Sequence, residues 1–94
     1  MTDDYYLAQN YPNPFNSETV IHYQLPAPCH VTLRIINILG QEIVRLVDKQ
    51  QQSGHYVVSW NASQVSSGLY FCELRAQDGH SIKFSKINKM LLMK

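Results

Sequence analysis

Hydrophobic and polar positions alternate along most of this chain, with a period of two and not the longer period of a helix. In "TVIHYQL", Ile21, Tyr23 and Leu25 fall on one side and Val20, His22 and Gln24 on the other. In "HVTLRII", Val31, Leu33 and Ile35 share a side against Thr32 and Arg34. Successive side chains of a strand point to opposite faces, so this pattern predicts strands with one buried and one wet face. "EIVRLV" predicts a third strand, and "HYVVSW" a fourth with Tyr56, Val58 and Trp60 in phase. "LYFCELRA" predicts a fifth, with Tyr70, Cys72, Leu74 and Ala76 together. In "SIKFSKINKMLLM", Ile82 and Phe84 keep one phase, Lys86 and Asn88 then occupy it, and Ile87 falls on the other. A bulge or change of face is expected near Lys86. Nowhere does a clean helical period run, so helix content should be near nil.

The breaks between these runs carry turn chemistry. Pro26 and Pro28 end the first strand, because proline cannot donate to a ladder. "NILGQE" predicts a tight reversal at Gly40, and Asp78-Gly79 a hairpin. "DKQQQSG", polar and closed by Gly54, predicts a loop, as does "NASQVSSG". Ahead of the first strand stands "NYPNPFN", with Asn10, Asn13 and Asn16 three apart and Pro12 and Pro14 between them. Each proline fixes its own φ and pushes Tyr11 or Asn13 towards the extended region. A polyproline turn would put the three asparagines on one edge, with Pro12 and Phe15 on another. The cluster is a stiff lead-in that can add a short edge strand. Short strands separated by Gly and Pro turns give the fold class: all-β, an immunoglobulin-like antiparallel β-sandwich of about six to seven short strands. The Cys…Trp…Cys signature of antibody domains is missing.

Composition narrows the picture. The 94 residues make one domain, and 45% hydrophobic content is that of a chain with a core. A net charge of +1 argues against a nucleic-acid binder held by phosphate neutralisation. The charge is unevenly placed: residues 1–79 carry four cations against seven acids, whereas Lys83, Lys86, Lys89 and Lys94 follow with no acid among them. Cys29 and Cys72 give no disulfide framework and match no zinc spacing, so free thiols are favoured over a disulfide. No segment is long and apolar enough to cross a membrane as a helix. The start, "MTDDYYLAQ", lacks the basic and apolar regions of a signal peptide, as expected of a piece of a longer protein.

Candidate chemistry is sparse. His22, His30, His55 and His80 form no metal-binding spacing and are expected as surface residues. Cys72 shares the apolar phase of its strand, which predicts an inert core thiol over a nucleophile. Asn10, Asn13 and Asn16 are better suited to capping turns than to holding calcium, since no carboxylates accompany them. Tyr56, Trp60 and Tyr70 are expected in the core; Tyr5, Tyr6 and Tyr11 lie outside the pattern and are the only candidates for a sugar-stacking row. No catalytic motif, cofactor site or metal site is found, so an enzyme is not expected. The basic last stretch admits two readings: an edge strand guarded by lysines, or an address read by a receptor.

"LAQNYPNPFNSETVIHYQLP", "VTLRIINILGQEIVRLV", "GHYVVSWNA", "SSGLYFCELRA" and "KMLLMK", in this order, resemble the C-terminal sorting domain, type A, of the type IX (Por) secretion system. The resemblance spans residues 7–94, leaving residues 1–6 as a linker or an added start. It implies a signal domain at the end of exported enzymes and adhesins of Bacteroidetes and related bacteria. The partners implied are the cargo domain ahead of it, the outer-membrane translocon components, and a sortase-like protease that cleaves the domain off. The cargo would pass the periplasm and end at the cell surface or outside. Position by position, Pro12, Asn13 and Pro14 match the PNP motif, Gly68 and Tyr70 the glycine-x-tyrosine motif, and Lys89, Met90, Leu91, Leu92, Met93 and Lys94 the terminal motif. Ser17 stands where proline is frequent, a departure expected to soften the turn. "MTDDYY" carries no assignable cleavage motif. The strand pattern is also similar to the immunoglobulin-like domain of flagellar-hook capping proteins, which supports a second class of function: a structural module packing on a neighbouring domain.

The mechanism expected from these readings is an exposed edge, Ser81–Lys94, to which a receptor adds a strand. Met90, Leu91, Leu92 and Met93 would fill its pockets, and Lys86, Lys89 and Lys94 would meet acidic groups. Removing Lys89–Lys94 should then spare folding and abolish sorting. Exposed edges also allow weak homodimers.

Overall fold

The computed structural model describes residues 4–94. The alternating runs form seven strands: β1 (Tyr6–Leu7), β2 (Glu18–Leu25), β3 (Cys29–Asn37), β4 (Glu42–Gln51), β5 (Gly54–Asn61), β6 (Gly68–Asp78) and β7 (Ser81–Leu92). All pair antiparallel, in a three-stranded sheet ordered β1-β2-β5 and a four-stranded sheet ordered β4-β3-β6-β7. This is the immunoglobulin-like sandwich that the strand pattern predicts.

The inward phases are those read from the sequence. Ile21, Tyr23 and Leu25 of β2, Val31, Leu33 and Ile35 of β3, and Tyr70, Cys72, Leu74 and Ala76 of β6 are buried, and Trp60 joins them from β5. Each fully buried aliphatic side chain is worth about 1.5–3 kcal/mol of hydrophobic stabilisation. Cys29 and Cys72 are buried free thiols. Tyr23 is fully buried, stacks on Tyr56 with centroids 5.3 Å apart, and donates its hydroxyl to Gln51 at 2.6 Å. A buried tyrosine needs such a partner for its polar tip.

Several expectations are corrected. "DKQQQSG" is mostly strand: Asp48–Gln51 complete β4, pairing with Cys29–Thr32, and only Gln52 and Ser53 connect to β5. β4 is an edge strand whose far end is wet on both faces, so polar residues suffice there. The bulge in β7 lies at Lys83 and not near Lys86: Ala76 faces Phe84, but Gln77 faces Ile82. It turns Ile82 out to 55% exposure and leaves Phe84, Lys86, Asn88, Met90 and Leu92 in one unbroken phase. Asn88 is tolerated on that phase because its amide donates to the Ala8 carbonyl at 3.1 Å.

The seventh strand is Tyr6–Leu7, not the Asn/Pro cluster, which makes only isolated bridges at Tyr11 and Phe15. Its asparagines do not share an edge: Asn10 is 3% exposed, whereas Asn13 and Asn16 face solvent. The peptide bonds before Pro12 and Pro14 are both cis. Ser17 takes a backbone conformation closed to the proline that is frequent there. Its φ is +72°, a left-handed conformation that proline, fixed near −65°, cannot adopt.

The last correction concerns the terminal stretch. Met90 and Leu92 are fully buried core residues, so neither is free to enter a receptor pocket, and removing Lys89–Lys94 would open the core.

Candidate functional site

One end of the sandwich gathers the three motifs that lie far apart in sequence. The lead-in is anchored first by Asn10, whose side-chain amide donates to the Thr19 hydroxyl at 2.9 Å and to the Pro12 carbonyl at 3.2 Å. Thr19, fully buried, donates in turn to the Pro12 carbonyl at 2.9 Å. Buried polar groups are stable only when satisfied in this way. The network holds Pro12, Asn13 and Pro14 as an exposed ridge.

From that ridge the chain reaches β7. The Asn13 side-chain oxygen accepts the Leu91 N–H at 3.0 Å. The Phe15 N–H donates to the Leu91 carbonyl, and the Met93 N–H to the Phe15 carbonyl, both at 2.9 Å. Gln9 adds a bond from its amide to the Lys89 carbonyl at 2.6 Å. The lead-in thus caps the end of the β7 edge, with Phe15 bridged in parallel to Leu92.

Beneath this cap lies an aromatic relay. The Phe15 ring, 2% exposed, packs 5.8 Å from Trp60, which meets Tyr70 edge-on at 5.8 Å. Such tilted and edge-on pairs exceed their area burial by about 0.5–1.5 kcal/mol. The Tyr70 hydroxyl donates to the Ser66 carbonyl at 2.7 Å, closing the loop before β6. Gly68 opens β6 opposite Leu92 with φ +154°, a conformation side chains rarely adopt, although a Cβ would meet no neighbour there. Lys94 then clasps the same loop: its N–H donates to the Ser67 hydroxyl at 3.0 Å, and its Nζ to the Ser63 carbonyl at 2.9 Å and the Val65 carbonyl.

Of the residues singled out from sequence, Pro12, Asn13, Pro14, Gly68, Tyr70, Lys89, Met90, Leu91, Leu92, Met93 and Lys94 therefore meet at one end. Lys86 lies further along β7. Leu91 is 37% and Met93 57% exposed, whereas Tyr70, Met90 and Leu92 shape the end from within. A pocket of about 280 Å³ opens beside them, lined by Asn37, Ile38, Ser66, Ser67, Gly68, Leu69 and Tyr70. Sequence reasoning missed the bond from Gln9 to β7 and the exposure of Ile38 and Leu39 in the turn it read at Gly40. The turn could have been flagged by its two exposed aliphatics, held by Asn37, whose side-chain oxygen accepts the N–H groups of Leu39 and Gln41.

Charge is segregated on the four-stranded sheet. Arg34 donates to Glu73 at 2.6 Å, and Arg45 bridges Glu42 and Asp48 at 2.8 and 3.1 Å. The hydrogen bond from Arg45 holds Glu42 below its usual range, and that from His30 does the same for Asp48. Lys83, Lys86 and Lys89 make no ion pair among the described residues. Burial pushes the Cys72 thiol up to about 12, opposite to what a nucleophile needs. No group of three metal-ligating side chains occurs among the described residues.

The fold and this meeting of motifs define a small immunoglobulin-like module whose distinctive residues gather at one shaped end. A family model for the secretion system C-terminal sorting domain matches residues 9–88, and the chain belongs to that family. The matched span takes in the Asn10–Asn16 and Ser66–Phe71 motifs and stops short of Lys89–Lys94. Comparison with curated proteins and with solved structures finds no match. Membership makes the domain a sorting signal of type IX secretion, the mark of a protein exported through the outer membrane.

Proposed function

We propose that the domain directs a cargo protein joined ahead of it through the type IX outer-membrane translocon, as a non-catalytic signal. A sortase-like protease then removes it at the cargo junction. The junction falls within or before the segment 1–6, of which residues 1–3 lie outside the described residues. The cargo enters the periplasm, crosses the outer membrane and is left at the surface or outside.

The observation that carries this reading is the convergence of the three motifs on one end. Pro12, Asn13, Pro14, Lys89, Leu91, Met93 and Lys94 supply its accessible chemistry, and Gly68, Tyr70, Met90 and Leu92 give it shape. The translocon on this reading recognises a folded surface and not a linear tail.

The test is a fusion of residues 1–94 behind a signal peptide and a fluorescent reporter, in a host with a type IX system and in a strain lacking it. Reporter at the surface or in the medium only in the first strain is expected, with a processed size that locates cleavage. If the reporter stays periplasmic in both while a known sorting domain is exported, the module is structural and the proposal fails.

A further inference from the structure

The edge of β7 is divided into a covered and an open part. Leu91 N–H and C=O, Met93 N–H and Lys89 C=O all point away from β6, since each is bonded to the lead-in. In an antiparallel strand the N–H and C=O of one residue point the same way, and alternate residues point opposite ways. The β6–β7 register runs without a shift from Phe84 to Leu92. Ser85 and Ile87 therefore also turn their backbone groups outward, together with the Lys89 N–H. Among the described residues no backbone group bonds to them. Ser85, Lys86, Ile87 and Lys89 are exposed, Ile87 at 52%. The open window is thus bounded by the Lys83 bulge on one side and the lead-in cap on the other.

We propose that this window, Ser85–Lys89, is a docking edge for an extended acidic segment of a partner protein, which adds as a further strand. The inference rests on the sorting role above and names the chemistry of its recognition. Ser85 and Ile87 each offer a donor and an acceptor, and Lys89 a donor, in the spacing a strand requires. Lys83 borders the window and Lys86 and Lys89 lie within it, and among the described residues no acid pairs with any of them, so the complementary strand is acidic. Ile87 offers an apolar contact at its centre. A second copy of the chain is the poorer occupant, because pairing β7 with β7 brings like charges together.

Ile87→Pro is the discriminating variant. Its amide faces away from β6, so proline removes a docking donor without breaking the sheet, as at edge positions generally. The purified domain and variant are titrated with a short capped peptide of alternating glutamate and valine, followed by amide NMR shifts. Shifts at Ser85, Ile87 and Lys89 in the parent, and binding weaker by about tenfold or more in Ile87→Pro at unchanged melting temperature, are expected. No binding, or shifts elsewhere, overturns the proposal.

The same variant goes into the reporter strain, beside Lys83→Glu/Lys86→Glu/Lys89→Glu, which leaves the backbone untouched and stands in should the proline variant misfold. Loss of surface reporter with a folded domain is expected of both. Parent-like export of either folded variant shows that the lysines only guard an idle edge, and sinks the inference while leaving the sorting role intact. A parent domain that is not exported at all defeats the sorting role instead. A concentration-dependent dimer abolished by Ile87→Pro would name a second copy as occupant and overturn the assignment to a partner.

Discussion

Leu91 and Leu92 are neighbours in one short motif, yet they should differ sharply when each is replaced by alanine. Leu92 is fully buried, faces Gly68 across the sheet and lies where Phe15 bridges to β7. Leu91 is 37% exposed on the outer face. Truncating a fully buried leucine costs about 2–5 kcal/mol, the lost transfer energy plus the cavity left behind. For Leu92 a value of about 3 kcal/mol is reasonable, since the cap can close over part of the cavity. Leu91→Ala should cost under about 1 kcal/mol, because its side chain is partly wet in the folded state. A domain this size shifts its Tm by about 4–8 °C per kcal/mol, so Leu92→Ala should melt about 8–16 °C below Leu91→Ala. Urea denaturation followed by Trp60 fluorescence reads both variants, with the slope checking that unfolding stays two-state. Equal midpoints would refute the placement of the terminal motif in the core, and with it the claim that the signal must fold to be read.

Three further outcomes follow from particular side chains. Ser17→Gly should raise stability by up to about 1 kcal/mol, because φ +72° costs a side chain but not glycine, while Ser17→Pro should destabilise strongly; paired thermal melts decide. Glu42 and Asp48 are held below their ordinary values by hydrogen bonds from Arg45 and His30, so the stability they contribute is present above the unfolded carboxylate range and lost as pH falls through their lower folded values. Melts taken downwards from about pH 5 should show this loss, and Arg45→Met should blunt it. Cys72, with its thiol raised to about 12, should resist an aromatic disulfide reagent in the native domain near pH 8 and react once unfolded; rapid native labelling at Cys72 would contradict its burial.

What could be read from the sequence was whatever local alternation encodes. The inward triads of β2 and β3 and the inward four of β6 needed only a period of two, and the Asp78-Gly79 hairpin only its turn residues. The errors share a different cause. Met90 and Leu92 continue the phase of Phe84, but Lys86 and Asn88 interrupt it, and only contact with Leu7 and Ala8 from 80 residues away makes Asn88 acceptable there. Lysines flanking the terminal motif then drew it towards a recognition role alone. The polar run Asp48–Gln51 lacked apolar residues because an edge strand does not need them. Ser17 carries no mark of its left-handed backbone, and no spacing announces that Asn13 and Phe15 will bond Leu91. The motifs were visible singly; their meeting was a long-range event.

That long range has a kinetic meaning. Asn13 and Leu91 are 78 residues apart, and the cap and the last core positions, Met90 and Leu92, wait on that closure. Contacts of such high sequence separation form late, after the loop entropy between them has been met. A chain synthesised only as far as β6 has the ridge, held to β2 by Asn10 and Thr19, but no β7 for it to cap, and its end of the sandwich stays open. On the proposed function, the shape that is read for export comes into being only once β7 has been made, so the folded signal also certifies that synthesis reached that strand.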